Sequence, residues 1–315
     1  MRNYIIRRML SAVVIIFFIT VINYFLINLA PGNAVDMMVD PNLSAAAIEA
    51  KKELFGLNAP IYIRYWRWLC NIFQGDFGYS YYTFQPVFTT VVSKIGPTLL
   101  LTGTSLLLSL LISIPLGIIS ATKQYSKMDN ATTTFTLFLI SMPAFILGLT
   151  LVYICGAKLN ILPASGMFSL GKNITFMDRV KHLILPVLSL AAYTIGIQSR
   201  YVRFSMLEVL DQQYLCTARA KGLKENRVIW VHAFRNALNP IVSITGLQVA
   251  QLLGGSVIIE YLFSWPGLGS LTYISASQRD YPMLMAINLV IAIMVLLANL
   301  LTDIAYTIVD PRVKL

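Results

Sequence analysis

Hydrophobic and polar residues occur in long blocks along this chain rather than at short intervals. Six stretches contain no Asp, Glu, Lys or Arg: Met9–Val35, Ile95–Thr122, Asn130–Ala157, Leu183–Ser199, Asn236–Ile259 and Tyr281–Thr302. A helix needs about 20 apolar residues to cross a membrane, where lipid offers the backbone no hydrogen bonds. Five stretches exceed this length, and we expect the fourth to extend through Tyr201–Phe204, with Arg200 and Arg203 snorkelling or facing a partner. The pattern predicts an all-α integral membrane protein with six transmembrane helices.

Composition supports this interpretation. Of the 315 residues, 57% are hydrophobic and only 12% are charged, whereas soluble domains carry about a quarter charged residues. A soluble globule could not keep so much apolar surface away from water. In a soluble protein the net charge of +10 would suggest a nucleic-acid ligand. Here the cations lie between apolar runs, so we expect contact with membrane lipid and no nucleic-acid partner.

The Lys and Arg residues also predict the orientation in the membrane, because short cytoplasmic connections carry an excess of these cations. We interpret the first run as a retained helix, since Met9 to Ala30 is longer than the core of a signal peptide, which has about 7–15 residues. With the N-terminus inside, fourteen cations lie in inner segments: Arg2, Arg7, Arg8, Lys123, Lys127, Arg200, Arg203, Arg219, Lys221, Lys224, Arg227, Arg235, Arg312 and Lys314. The short outer connections hold five: Lys158, Lys172, Arg179, Lys181 and Arg279. Both termini are therefore predicted to be cytoplasmic.

This topology divides the chain into three regions. Residues 1–30 form the cytoplasmic N-terminus and first helix, 31–94 lie outside the membrane, and 95–315 hold five helices with an inner loop at about 205–235. The outer segment predicts helices at Ser44–Leu54 and Ile61–Phe73, the second rich in aromatic residues. Those aromatic residues suit two interpretations equally, an interfacial belt or a small cap over a pore.

Proline and glycine residues inside the apolar runs predict local features of the helices. Pro115, Pro143 and Pro186 should kink their helices, because proline removes a backbone donor and crowds the preceding turn. Gly254-Gly255 should permit close packing between helices, for which we favour a simple packing role over a gate.

No residue pattern argues for an enzyme. Gly166–Asn173 has the spacing of a phosphate loop, but it ends in Asn173 where a Ser or Thr would hold magnesium. His182 and His232 fall on opposite sides of the predicted membrane, and the three cysteines lack zinc-site spacing. The apolar runs also lack the ionisable groups that ion-driven carriers use. We therefore predict no catalytic residues, no ATP site, no metal site and no cofactor in this chain, and an energy source in a cytoplasmic partner.

The inner segment Glu208–Arg235 is the most charged part of the chain and the best candidate for that partner. Asp211 can cap a short helix, Gly222 can end it, and a second helix should start near Glu225. Four apolar residues follow one face at helical spacing: Leu207, Leu210, Tyr214 and Ala218. Two interpretations stay open on this pattern alone, a helix that inserts into a partner's groove and a basic loop on anionic lipid.

Residues 214–223, read as Tyr-Leu-Cys-Thr-Ala-Arg-Ala-Lys-Gly-Leu, and the following Arg235-Asn-Ala-Leu resemble the cytoplasmic signature loop of ABC importer permeases. The chain is more narrowly similar to the B-type transmembrane subunit of the dipeptide/oligopeptide/nickel family. Some permeases carry Glu-Ala-Ala where this chain has Thr217-Ala-Arg. Supporting matches span nearly the whole chain: Leu29–Gly32, Gly56-Leu57 with Pro60, Gly75–Gly78, Ile184–Pro186, Gly254–Ser256, Trp265–Gly269, Arg279–Pro282 and Asp310–Arg312.

The resemblance implies a permease subunit of an ATP-driven importer for di- or oligopeptides, in a prokaryotic cell (inner or plasma) membrane. It implies a second homologous permease subunit, two ABC ATPase subunits that hold ATP and magnesium, and an extracytoplasmic substrate-binding protein. By the same resemblance, segment 31–94 corresponds to the cap of B-type subunits. Residues that would contact the ATPases are Tyr214, Thr217, Ala218, Arg219, Ala220, Lys221, Gly222 and Leu223, and no substrate-binding residue is assigned.

Two other functions stay open at this stage. The same architecture could carry nickel or a metal–chelator complex, and a stand-alone channel or ion-coupled carrier is a third hypothesis from another class. For the coupling role, we expect Gly222→Asp to disturb assembly or ATP coupling, on the argument that a packed turn cannot hold a charged side chain.

Overall fold

The computed structural model describes residues 2–29, 46, 49–50, 53, 56–169, 171 and 175–309. Four of the motifs and elements singled out in the sequence lie partly or wholly outside these residues: the motif Leu29–Gly32, the helix Ser44–Leu54, the phosphate-loop-like segment Gly166–Asn173 and the motif Asp310–Arg312. Within the described part of the chain, β pairing is limited to a bridge between Tyr79 and Pro86, and nearly all of the rest is helical.

Eleven α-helices are numbered here in chain order among the described residues. They are α1 Arg2–Leu29, α2 Ile61–Phe73, α3 Val87–Thr122, α4 Lys127–Ser141, α5 Ala144–Leu151, α6 Phe176–Leu210, α7 Gln213–Ala220, α8 Glu225–Arg227, α9 Phe234–Leu262, α10 Leu268–Ser277 and α11 Tyr281–Val309. Wider π-helical turns extend α5 over Val152–Lys158 and connect α8 to α9 over Val228–Ala233.

The membrane-spanning prediction is confirmed. Five described helical segments are long and apolar enough to span a bilayer: Ile6–Leu29, Val87–Thr122, Phe176–Leu210, Glu225–Leu262 and Tyr281–Thr307. The sixth candidate is the pair Lys127–Ser141 and Ala144–Lys158, which is bent by 98°. The chain is therefore an all-α, multi-pass membrane protein with five such helices, or six when the bent pair counts as one span.

The bend between α4 and α5 has a local cause. Met142 has an extended backbone, with φ −90° and ψ 118°, because the ring of Pro143 disfavours a helical conformation in the residue before it. Pro143 thus breaks the helix, whereas the sequence predicted only a kink at this position. Helices α3 and α6, in contrast, continue through Pro115 and Pro186.

Helix packing divides the chain into two compact units, Met1–Thr98 with Pro266–Leu296 and Leu99–Trp265 with Leu297–Leu315. In the first unit, Tyr24 of α1 packs edge-on against Tyr65 of α2, with ring centroids 5.3 Å apart, and Met285 of α11 joins them. The buried Asp280 accepts a hydrogen bond from the amide of Tyr81 at 3.0 Å and another from the Ser80 hydroxyl. The outer-segment residues are thereby connected to the start of α11.

In the second unit, α6 is the central helix and packs against α4, α5 and α9. In its most apolar stretch 61% of the residues are buried, against 11–39% in the other four spans. The sequence predicted this span as the shortest, because Arg200 and Arg203 interrupt the apolar run. The helix continues through both arginines to Leu210, as the predicted extension beyond Ser199 requires.

Four glycines allow close helix approach in the second unit, because a Cβ at each would lie less than 3 Å from an atom of another helix: Gly117, Gly148, Gly196 and Gly246. A Cβ at Gly117 would lie 2.5 Å from the Cβ of Val202, and one at Gly196 would lie 2.8 Å from the carbonyl oxygen of Thr136. At the predicted pair Gly254-Gly255, a Cβ would meet nothing closer than 3.8 Å. Neither glycine is therefore required for close packing within the described chain, and packing against a partner chain stays a prediction.

Candidate functional site

The candidate site is the short helix α7 and the residues that support it, all within the second unit. Helix α6 ends at Leu210, Asp211 follows it, and Gln212 precedes α7 without a side-chain capping bond. The prediction that Asp211 caps the short helix is therefore wrong. Because α6 continues to Leu210, beyond the predicted extension to Phe204, Asp211 lies in the turn that closes α6.

Helix α7 buries a narrow apolar face. Leu215 is fully buried and Ala218 is 9% exposed, and both belong to a cluster with Val202, Met206 and Val228. The predicted face through Leu207, Leu210, Tyr214 and Ala218 is wrong at Tyr214, which is 41% exposed. The turn after α6 starts a new helix with a new register, so helical spacing cannot be counted across it.

The C-terminus of α7 is closed by a glycine in the left-handed region, as predicted for Gly222. Its φ is +75°, its amide donates to the Arg219 carbonyl at 2.9 Å, and the amide of Leu223 donates to the Ala218 carbonyl at 3.4 Å. This pair of bonds is a Schellman motif, which satisfies carbonyls at a helix end. Leu223 then packs against the cluster under α7.

The rest of α7 and the following turn present polar and small side chains outward. Arg219 makes a bidentate ion pair with Glu225, with Nη2–Oε1 at 2.9 Å and Nε–Oε2 at 3.1 Å. This hydrogen bonding raises the pKa of Arg219, so its positive charge is kept. Helix α8 starts at Glu225, where the sequence predicted the second helix. Of the residues predicted to contact the ATPases, Ala218 is buried and Leu223 is partly buried, and the exposed ones are Tyr214, Thr217, Arg219, Ala220, Lys221 and Gly222.

A buried carboxylate in the same unit connects α4 to α6. Asp129 is 3% exposed and accepts two bonds from Arg203, at 3.1 Å from Nε and 3.0 Å from Nη2. It also accepts from the Tyr125 amide at 3.0 Å and from the Ser120 hydroxyl. Arg203 therefore faces a partner within the chain. Arg203 is one turn before Met206, so the ion pair fixes the part of α6 on which α7 rests.

Sequence reasoning missed two residues of this arrangement. It did not single out Leu215, the most buried residue of α7, and it treated Asp129 only as part of an inner loop. The spacing of Leu215 and Ala218 would have been informative once α7 was read as a separate helix. Nothing local identifies the partner of Asp129, because Arg203 lies 74 residues away.

The family "Binding-protein-dependent transport system inner membrane component" matches residues 113–315, which include all of α7 and its support. The chain belongs to this family. A companion family, "Binding-prot-dependent transport system membrane comp, N-term", matches residues 1–102 of the same permease. Together the two matches cover most of the chain, and they confirm the resemblance to ABC importer permeases found in the sequence.

Named relatives of this permease match over its full length. The "Oligopeptide transport system permease protein AppB" of Bacillus subtilis is 44% identical over 100% of both chains. The "Glutathione transport system permease protein GsiC" of Escherichia coli K12 is 35% identical over 100% of this chain and 99% of that protein. Among solved structures, an inward-facing MetNI methionine ABC transporter has a chain with a TM-score of 0.60 at 16% identity. That match covers 71% of this chain and 97% of the other, and it shows the shared fold.

Proposed function

We propose that this permease imports di- or oligopeptides and forms its translocation pore with a second, homologous permease subunit. The observation that carries the proposal is the 44% identity with an oligopeptide permease over the whole of both chains. A peptide permease protein of Brucella suis matches at 37% identity over 100% of this chain, which supports the same substrate class.

The energy for transport comes, in this proposal, from two ABC ATPase subunits that bind ATP and magnesium. Helix α7 is their contact, because its apolar residues Leu215 and Ala218 are already used for packing and its polar side chains face outward. A substrate-binding protein delivers the peptide at the other side of the membrane. Closure of the ATPases moves the pore to an outward-open state, and hydrolysis returns it to an inward-open state.

The proposed location is the cell membrane of a prokaryote, with both termini in the cytoplasm. The support is the excess of Lys and Arg in the short segments that include α7. In this orientation the contact helix faces the ATPases, and residues 56–86 of the outer segment face the binding protein.

Reconstitution of the complete transporter tests the proposal. We expect uptake of a tripeptide that depends on ATP, on the ATPase subunits and on the binding protein, with ATP turnover stimulated by the loaded binding protein. A panel containing peptides, nickel and a nickel–chelator complex identifies the cargo. Uptake of nickel but not peptide contradicts the substrate class, and uptake without ATPases contradicts the ATP-driven mechanism.

A further inference from the structure

The first unit contains a cavity of about 250 Å³ that the transport mechanism above does not use. It lies between the end of α1, one face of α2, the turn at Asp76–Gly78 and the start of α11. The volume is slightly below the roughly 300–1,000 Å³ of pockets that hold drug-sized ligands. The cavity therefore suits the end group of a molecule rather than a whole oligopeptide.

One face of α2 supplies the polar lining. Arg64, Arg67, Trp68 and Asn71 follow each other at spacings of three, one and three residues, so that they share one side of the helix. The two arginines carry more positive charge than the single negative charge of Asp76. The Asp76 carboxylate also accepts a hydrogen bond from the amide of Gly78 at 2.8 Å. The lining is thus cationic on balance.

Two donors in this lining are buried and have no hydrogen-bond partner within the described part of the chain, the Nε–H of Arg64 and the Nε1–H of Trp68. The ring of Trp68 is fixed by Tyr24 and Tyr65, whose ring centroids lie 6.3 Å and 6.0 Å from it. Buried donors are normally satisfied, and an unsatisfied cationic donor is especially unfavourable. Both side chains line the cavity, so an acceptor bound there would lie beside them.

Tyr81 adds a neutral wall to the same cavity. Burial raises its pKa to about 12, so its hydroxyl stays protonated at physiological pH and does not repel an anion. Tyr24, Phe77 and Met285 supply an apolar surface beside the cationic donors. This combination suits a group with an anionic oxygen end and a small apolar body.

We propose that this cavity binds a carboxylate or phosphate group, with Arg64 as its ion-pair partner and Trp68 as a hydrogen-bond donor. Two sources offer this chemistry, the C-terminal carboxylate of a peptide and the headgroup of an anionic lipid. The peptide source rests on the proposed function. The lipid source follows from position, because the lining includes Asn28 near the end of one span and Tyr281 at the start of another.

Binding to the full-length chain in nanodiscs tests the proposal without the ATPases. In phosphatidylcholine discs, N-trifluoroacetyl-dialanine and its C-terminal amide are titrated and followed by ¹⁹F NMR. In parallel, native mass spectrometry measures the retention of phosphatidylglycerol from discs of mixed lipid. Saturable binding of the free acid but not the amide supports a peptide carboxylate, and selective retention of phosphatidylglycerol supports a lipid phosphate.

Arg64→Gln should weaken whichever ligand binds by about tenfold, because it removes a charge-assisted hydrogen bond. Trp68→Phe keeps an aromatic ring and removes the donor, and it should weaken binding by about two- to tenfold. Arg179→Gln changes an exposed arginine of the other unit and should leave binding unchanged. Size-exclusion chromatography and thermal unfolding confirm that each variant is folded.

The proposal is overturned if neither probe binds saturably to the wild-type chain, since water would then suffice for the two donors. It is also overturned if folded Arg64→Gln and Trp68→Phe variants bind as the wild type does. Failure here leaves peptide uptake by the complete transporter intact. If the proposed function is wrong, the complete wild-type transporter takes up no peptide, while binding to the isolated chain can still be measured.

Discussion

At the scale of single residues, backbone conformation and burial decide which side chains the candidate site requires. Gly222 was expected to resist substitution because its turn is packed. Among the described residues a Cβ there would meet no atom within 4 Å, so the turn is not packed inside the chain, and packing against a partner stays a prediction. Within the chain, the position is restricted by its φ of +75°. Residues other than glycine adopt this φ only at a cost in free energy, and that cost is lowest for Asn and Asp.

Gly222→Val should therefore lower peptide uptake and destabilise the chain by about 1–2 kcal/mol, because a β-branched residue is strained in the left-handed region. Gly222→Asn is the matched control and should stay close to the wild type, as it tolerates that region. Thermal unfolding in detergent and uptake by the reconstituted transporter measure the two effects. Equal behaviour of Val and Asn would show that φ does not restrict this position.

Asp129 is a second position where we expect a single side chain to contribute strongly to the stability of the fold. Asp129→Asn keeps the shape but removes the charge that Arg203 and the neighbouring donors face. We expect the free energy of unfolding to fall by about 1–3 kcal/mol. The loss is small for a buried ion pair because the Arg203 side chain is 30% exposed, so that water replaces part of the interaction. Denaturation measurements report the change, with Asp211→Asn as an exposed control. If Asp129→Asn destabilises the chain no more than the control does, the ion pair makes no measurable contribution to stability.

At the scale of elements, α7 is stable only as part of a larger packing unit. Eight residues are too few for a helix to be stable alone in water. The helix depends on Leu215 and Ala218 packing on α6 and on the π-helical turn after α8. Movement of α7 should therefore be transmitted to α6, the central helix of its unit.

Leu215→Ala should destabilise the chain by about 2–4 kcal/mol, because it leaves a cavity under α7. Tyr214→Ala, one residue earlier, should cost only about 1 kcal/mol in the isolated chain, since this side chain is 41% exposed and loses one hydrogen bond, to Asn236. In the complete transporter, Tyr214→Ala should lower the stimulation of ATP turnover if its side chain contacts an ATPase. A stability loss at Tyr214 equal to that at Leu215 would contradict the assigned buried face.

At the scale of the whole molecule, the orientation in the membrane can be tested with a natural reporter. Cys216 is an exposed free cysteine on α7, whereas Cys70 and Cys155 are partly buried. A membrane-impermeant maleimide should label Cys216 in inside-out vesicles and not in right-side-out vesicles or intact protoplasts. The variant Cys216→Ser is the control for labelling at the other two cysteines. Labelling of Cys216 from the outside would reverse the topology and remove the proposed ATPase contact.

The class of protein, the positions of the spans and the end of α7 could be predicted from the sequence alone. These are local properties: an uncharged run long enough to cross lipid is visible in the chain, and so is a glycine after a helical segment. The buried face of α7 could be identified only in the folded chain. The same holds for the contacts of Asp129 with Arg203 and of Asp280 with Ser80. The partners in these pairs lie 74 and 200 residues apart. No local pattern encodes such contacts, because they arise only when distant segments of the chain come together in the fold.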